Sequence, residues 1–553
     1  MTRNAALKTL ALLIAALMAL SMFSAAMAEE FQPGPKLGDK LVRQALLYAL
    51  DRENFILAQY GSTELARVGL APISPTSWAF PDLSDLNDYA FDLDKAAALL
   101  DEAGWTVGED GYRYNADGVK LELEWLVYED SPWPVTLSSM AFDSWKQIGV
   151  SLLINRMDFN TVANTTQEPP PGEKMFDIYT MGFSLDADPD PSGGLFDYDA
   201  FSAGGFNASG YYNEHAQDLI KAGKLEFDQA KRAAIYQEWA KLMNEEVPTS
   251  IVAYRSEIWG VNNRVSGLDL GTYAEWADII RDVTLEGDQI LKLGETSFDG
   301  KFNPIYSDKV YDTWINKVVF ESPIRTSVEG EFVPYIADYE LSNENKTYTF
   351  TLKEGITFSD GVPMTSEDFY FTYTMIAHPE YTGPRLSVAM GLEGYDEYAA
   401  GTAETISGVE IIDERTISFT FKEASPANIA NFVYGIAPKH IYDDGTMEGF
   451  ISHNSEPVGS GPLVMTDYAP SQFILLSANE NYWDPDNAVK IDGVYITMVP
   501  DESKIAALEL GDLDVAMPAA NIDNLNAMQA IGNIHVASYL GNGYTFMCFN
   551  TLN

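Results

Sequence analysis

Apolar positions recur at helical spacing near the front of the chain. Leu41, Val42, Ala45, Leu46, Ala49 and Leu50 fall on one face of a predicted helix. The stretch 92–104, DLDKAAALLDEAG, opens on an acidic cap candidate and stops at a glycine, as a helix does. The period then drops to two. Leu121, Leu123, Trp125 and Val127 alternate with Glu122 and Glu124, the pattern of a half-exposed strand. A helix over 137–147 meets Gly149, and 150–154 reads as a buried strand. Strand, helix, strand in that order predicts a parallel unit with a right-handed crossover. A further helix over 228–243 is expected to pack Ala234, Ile235, Trp239 and Leu242.

The texture changes after Gly287. Tyr348, Phe350 and Leu352 alternate with threonines, and Ile417, Phe419 and Phe421 do likewise, which predicts antiparallel strands with one wet face. Asp360-Gly361 and Glu414-Arg415 mark turns. A helix over 504–510 stops at Gly511 and leads into a strand over 513–516. Residues 164–172, with three consecutive prolines, read as a loop tip. Alternating helix and strand periods make the fold class α/β.

The 553 residues allow two or three domains, and 46% hydrophobic content is globular. Arg3 and Lys8, the apolar run Leu10 to Leu20, and Ala26-Met27-Ala28 form an export signal, residues 1–28. The apolar run is shorter than the ~20 residues a membrane helix needs, so cleavage after Ala28 is expected. Losing two cations takes the net charge from −48 to −50. That field disfavours nucleic acid, whose phosphates need Lys and Arg. Cys548 is the single cysteine, so no internal disulfide forms and the signal carries no lipid-anchor cysteine. A periplasmic or secreted protein is expected. The five histidines show no ligand spacing, and no metal or cofactor is expected. The acidic run Asp186, Asp188, Asp190 is not a calcium loop, because Pro191 and Asp197 stand where a glycine and a bidentate Glu are needed. No G-x-S-x-G and no H-E-x-x-H is present, which disfavours a hydrolase.

Several motifs resemble one family. VRQALLYALDRENFI (42–56), YAFDLDKAAALLDEAGW (89–105), GFSLDADPDP (182–191) and Gly210-Tyr-Tyr-Asn213 form one set. Phe302-Asn-Pro304, Val310-Tyr-Asp312, YTFTLKEGITFSDGVPMTSEDFYFTY (348–373), PVGSGP (457–462) and Asn481-Tyr-Trp483 form another. Both are similar to ABC-transporter extracellular solute-binding proteins of the peptide, dipeptide and nickel class. Each set keeps its internal order, but the set normally found second comes first. The resemblance implies a circularly permuted, two-lobed periplasmic-binding-protein-like fold (type II, peptide-binding class). Its expected parts are a lobe over 29–254, a second lobe over 255–319 and 437–553, and an inserted subdomain over 320–436. A single covalent link between lobes is expected, with the end of the chain beside the start of the mature protein.

The resemblance also implies hinge closure on a peptide-like ligand and delivery to an ABC-transporter permease by a monomer. A short sugar, or a sensing or chaperone role on the same fold, are the alternatives. Asp186 corresponds to the carboxylate that takes a peptide's ammonium, and Phe183 stands where relatives have Trp. Gly182 and Ser184 flank it. Val310 and Tyr311 match contacts from the other lobe, and Tyr544 and Trp78 are cleft candidates by position. Asp186 as a turn or helix cap, and Trp78 as core packing, are the competing readings. Gly459-Ser-Gly461 is read either as an anion cradle or as a tight bend. Dipeptide binders of the family carry an arginine for the ligand carboxylate. The corresponding stretch here, Glu129-Asp-Ser-Pro-Trp-Pro134, has none, which argues against a strict dipeptide role.

Overall fold

One long strand organises the molecule. The computed structural model describes residues 34, 36–202, 205–296, 298, 300–307 and 309–552. The export signal expected at 1–28 lies outside them. Strand Thr249–Asn262 runs through a twelve-stranded sheet and belongs to both of its halves. Its first part, Thr249 to Ala253, pairs antiparallel with Gly543–Phe549, which pairs antiparallel with Ile178–Ser184. Beyond these lie Glu122–Tyr128 and Ser151–Met157, both parallel to their neighbours as the crossover pattern requires. The second part, Ser256 to Asn262, pairs with Ile534–Leu540, and Val515–Ala516 joins at Gly260 and Val261. Ile290–Glu295, Gly493–Met498, Phe473–Ala478 and Leu463–Ala469 complete that half. Two hydrophobic cores follow the same division, with Trp125, Trp145 and Trp239 in one and Trp259, Trp276 and Trp314 in the other. A separate four-stranded antiparallel sheet forms from Ala337–Ser342, Thr347–Leu352, Thr416–Thr420 and Val409–Ile411.

Two covalent links join the halves, where one was expected. The long strand is the first. The second is the run from Ile534–Leu540 through Gly541 and Asn542 into Gly543–Phe549. Tyr544, Phe546 and Cys548 pack in the core of the first half, so the apolar content of this final strand pulls it out of the second. Near the chain's ends, the Gly34 amide donates to the Thr551 carbonyl at 2.8 Å.

Local chemistry explains the elements. Asp39, Asp51, Asp92, Asp158 and Asp228 each cap a helix by accepting from a first-turn backbone amide. Part of the large negative charge is therefore helix capping. Helix Asp501–Leu510 ends on Gly511 at φ 76°, the left-handed conformation that glycine adopts without strain. Two expectations shift. Ser151–Met157 is an edge strand with exposed positions, not a buried one. Helix Gln229–Glu246 buries Arg232, Tyr236, Trp239, Ala240 and Met243, while Ala234 faces solvent. Cys548 is 1% exposed, and burial pushes its thiol up to about 12, so it is inert packing.

The turn Gly459-Ser-Gly461 packs on the C-terminal end of helix Val310–Val319. The Gly461 amide donates to the Val319 carbonyl at 2.8 Å. A Cβ at Gly461 would fall inside contact distance of the Val318 carbonyl oxygen. Helix carbonyls repel anions, so the tight-bend reading holds. Gly461→Ala is expected to lower stability by about 1–3 kcal/mol through overpacking, read from the urea midpoint. An unchanged midpoint would show that the helix end yields freely.

Candidate functional site

The C-terminal end of strand Ile178–Ser184 carries the first group of candidate residues. Phe183 pairs with Tyr544 across the ladder, and their rings stack at 6.1 Å and 24°. Tyr544 is 4% exposed, so it backs Phe183 rather than facing a ligand. Phe206 stands edge-on to Phe183 at 5.4 Å and is 47% exposed. Together Phe183 and Phe206 form a half-open aromatic wall. Gly182 and Ser184 are exposed, and a Cβ added to Gly182 would meet nothing within 4 Å. A strand position in the middle of a wide sheet is thus left open.

Asp186 follows immediately and is exposed. Among the described residues its carboxylate makes no hydrogen bond, so it caps neither a turn nor a helix. Its backbone is held instead. The Asn542 side-chain amide donates to the Leu185 and Asp186 carbonyls at 2.8 and 3.0 Å, and the Asn542 carbonyl accepts the Leu185 amide at 2.9 Å. Thr76 donates its hydroxyl to the Asn542 side chain at 3.3 Å. Surrounding protein displaces bulk water and pushes the Asp186 carboxyl up. Arg385 opposes that rise, while Asp188 and Asp190 add to it. Arg385 comes from the far side, where its guanidinium stands 4.7 Å over the Tyr434 ring and donates to the Ser307 carbonyl at 3.0 Å. The two sides touch nearby, where the Ser425 hydroxyl donates to the Lys224 carbonyl at 2.7 Å.

The other acids of the run are already engaged. Asp188 takes a bidentate pair from Arg232, at 2.5 and 2.8 Å. Asp190 accepts from the Ser192 amide and hydroxyl. Among the described residues, no group of three or more His, Cys, Asp or Glu could hold a metal ion. Trp78 is 37% exposed, with the Arg232 guanidinium 5.7 Å from its ring centroid, so it is not core packing.

Val310 and Tyr311 open helix Val310–Val319 in the other half. Val310 is 46% exposed. Tyr311 packs edge-on to Trp314 at 5.2 Å, and burial pushes its hydroxyl up to about 12. Beside it lies Glu295, at the end of strand Ile290–Glu295 and fully buried. Neither Glu295 oxygen makes a hydrogen bond of normal geometry to a described residue. Burial pushes this carboxyl up to about 8, against the Lys504 ammonium and the Thr296 amide.

Asn542, Arg232, Phe206, Arg385 and Arg255 were not singled out by sequence reasoning. Arg255 alone left a signal. With Glu257 it interrupts the apolar run SIVAYRSEIWGV at alternate positions, placing two charges on one strand face. A cavity of about 380 Å³, lined by Gln44, Asn87, Tyr89, His215 and Glu238 among others, lies elsewhere and includes none of the candidate residues.

The sequence profile of the bacterial extracellular solute-binding proteins, family 5 (middle), matches residues 16–204 and 331–553. The chain is 24% identical over 288 residues to the periplasmic oligopeptide-binding protein OppA of Escherichia coli, covering 50% of this chain and 52% of that one. It is 26% identical over 250 residues to the dipeptide-binding protein DppE of Bacillus subtilis, covering 43% and 45%. It is 28% identical over 212 residues to the oligopeptide-binding protein OppA of Lactococcus lactis subsp. cremoris, covering 35% of each. The chain thus spans about half the length of these relatives, or less. The oligopeptide-binding protein AppA of Bacillus subtilis, solved with a nonapeptide, superposes with a TM-score of 0.40 at 23% identity, covering 45% and 47%. No helix among the described residues is long and apolar enough to cross a membrane.

Proposed function

This chain belongs to the bacterial extracellular solute-binding proteins of family 5, and on that footing we propose that it captures a peptide-like solute between its two halves and delivers it to an ABC-transporter permease. The observation that carries the reading is Asp186. It is an exposed carboxylate without a side-chain partner, on a backbone clamped by Asn542, beside an aromatic wall and an open strand. A peptide offers an ammonium at one end and a row of backbone amides behind it. The carboxylate suits the first, and the strand end Gly182 to Ser184, which is paired on one side by Gly543–Phe549 and on the other only as far as Tyr179, suits the second. Relatives named for oligopeptides and dipeptides support the ligand class.

The division into a lobe over 29–254, a second over 255–319 and 437–553, and a subdomain over 320–436 belongs to the same reading, with the strand Gly543–Phe549 returning to the first lobe. So does the permuted order. Matches confined to half of each chain are what swapped halves give, because a colinear alignment follows one half at a time. The Gly34–Thr551 hydrogen bond supports it by joining the points that permutation would separate. Export with cleavage after Ala28 completes the account.

Asp186→Ala is expected to weaken binding of a free-amine peptide pool by about tenfold to a hundredfold, as loss of a charge-assisted hydrogen bond does. Binding of the N-acetylated pool should change little. Equal affinity of variant and wild type for the free-amine pool, measured by calorimetry, would remove Asp186 as the anchor.

A further inference from the structure

We propose that a small cavity beside the buried Arg52 guanidinium is a binding site for a single chloride ion. This goes beyond solute capture and does not depend on it.

The cavity has a volume of about 20 Å³. That is room for one water-sized particle, and a chloride ion is only slightly larger than water. It lies where three segments of the first half meet. Helix Arg52–Tyr60 supplies Arg52, a loop supplies Gly69, and the long strand Thr249–Asn262 supplies Ser250. Leu47 and Val247 close it with apolar surface. Two polar groups at its wall are unsatisfied. The Arg52 Nε–H and the Ser250 hydroxyl are both buried and make no hydrogen bond to a described residue. A guanidinium N–H only donates, and a hydroxyl is free to donate, so one acceptor in the cavity would serve both.

Charge decides between an anion and a water molecule. Among the described residues the buried arginines are Arg43, Arg52, Arg113 and Arg232. Three of them have a carboxylate. Arg232 pairs with Asp188 at 2.5 Å, Arg113 pairs with Asp101 at 2.6 Å, and Arg43 reaches Glu246 at 4.0 Å. Arg52 reaches carbonyl oxygens instead. Its Nη1 donates to the Gly69 and Ile251 carbonyls at 2.8 and 3.2 Å, and its Nη2 to the Asp88 carbonyl at 2.7 Å. The Asp88 carboxylate is exposed and accepts the Ala90 amide at 3.0 Å. Burial pushes the Arg52 guanidinium down to about 10, against weaker fields from Tyr89, Asp88, Tyr254 and Glu53.

A buried charge without a counter-charge is costly. Water in the cavity would satisfy the two donors and leave that cost standing, whereas chloride answers both. The excess of acids, 82 against 34 Lys and Arg, repels anions at long range. Salt screens that field beyond about 10 Å, while the guanidinium lies at the cavity wall, so the local attraction prevails. The ion ties the first turn of helix Arg52–Tyr60 to the start of the strand that carries the chain into its second half.

The test is urea unfolding of the full chain at fixed pH and ionic strength, with sodium chloride replacing sodium gluconate in steps. The wild-type midpoint is expected to rise with chloride. The unfolding equilibrium constant should fall about tenfold when chloride reaches ten times its dissociation constant. Ser250→Val fills the cavity and removes one donor while leaving the Arg52 carbonyl bonds in place, so its midpoint should not follow chloride. Ser250→Ala keeps the space and should respond more weakly than the wild type. Crystals soaked in bromide should show an anomalous peak within hydrogen-bond reach of Arg52 Nε and Ser250 Oγ. A midpoint that moves equally in the wild type and both variants is a general salt effect and overturns the site. Water at that position in bromide-soaked crystals overturns it too. A bromide peak without the midpoint shift means an adventitious ion only, and the assignment falls. None of these results bears on peptide capture.

Discussion

The stability difference between Glu295→Gln and the wild type is expected to shift in the variant's favour by about 4 kcal/mol between pH 4.5 and pH 8. Glu295 is fully buried, and burial pushes its carboxyl up from 4.5 to about 8. The folded chain therefore keeps this proton over a range in which the unfolded chain has lost it. Its contribution is fully present below about pH 4.5 and is lost as the pH rises through about 8. Glutamine has the same shape and does not ionise, so it lacks this loss. Urea midpoints for both chains at several pH values check the claim. Parallel curves for variant and wild type would show that the Glu295 carboxyl is solvated or paired in the folded chain.

The second large effect is expected at Asp188. Its carboxylate holds the Arg232 guanidinium in a two-pronged pair, with side chains 12% and 4% exposed. Arg232 also donates to the Gly223 carbonyl at 2.9 Å and packs near Trp78 and Tyr236. Asp188→Ala leaves that charge buried without its paired carboxylate, which costs about 3–5 kcal/mol. The control is Asp85→Ala, which breaks an ion pair to Lys241 whose side chains are 52% and 43% exposed. Such surface pairs contribute about 0–1 kcal/mol. Denaturant unfolding of the two variants should therefore differ by several kcal/mol. Similar losses would mean that the Arg232 site relaxes and admits water. Asp188 lies two residues from Asp186, so its loss should also weaken ligand binding.

Much of the architecture was legible because it is locally encoded. The Asp92 cap, the Gly511 stop and the parallel strands on either side of helix Pro132–Gln147 all follow from short-range pattern. The errors came where long-range pairing overrides that pattern. Arg232 and Tyr236 lie outside the expected packing face, yet each buries its stem and satisfies its tip, which turns the buried face of helix Gln229–Glu246. Ser151–Met157 has strand composition but ends the sheet, which no local pattern reveals. In the site, Asp186 and Phe183 were readable from motif resemblance. Asn542 was not, because its role depends on a bulged turn meeting a loop 356 residues away in sequence. Trp78 was placed by position alone, and its contact with Arg232 exists only in three dimensions.

The most direct test of peptide capture is retention from a mixture. The chain is incubated with a pool of two- to five-residue peptides, desalted, denatured, and the released material weighed by mass spectrometry. The account predicts about one intact peptide per chain, with free-amine members enriched and the yield falling sharply for Asp186→Ala. Recovery of no peptide, or of cleaved fragments in place of intact ones, would contradict it.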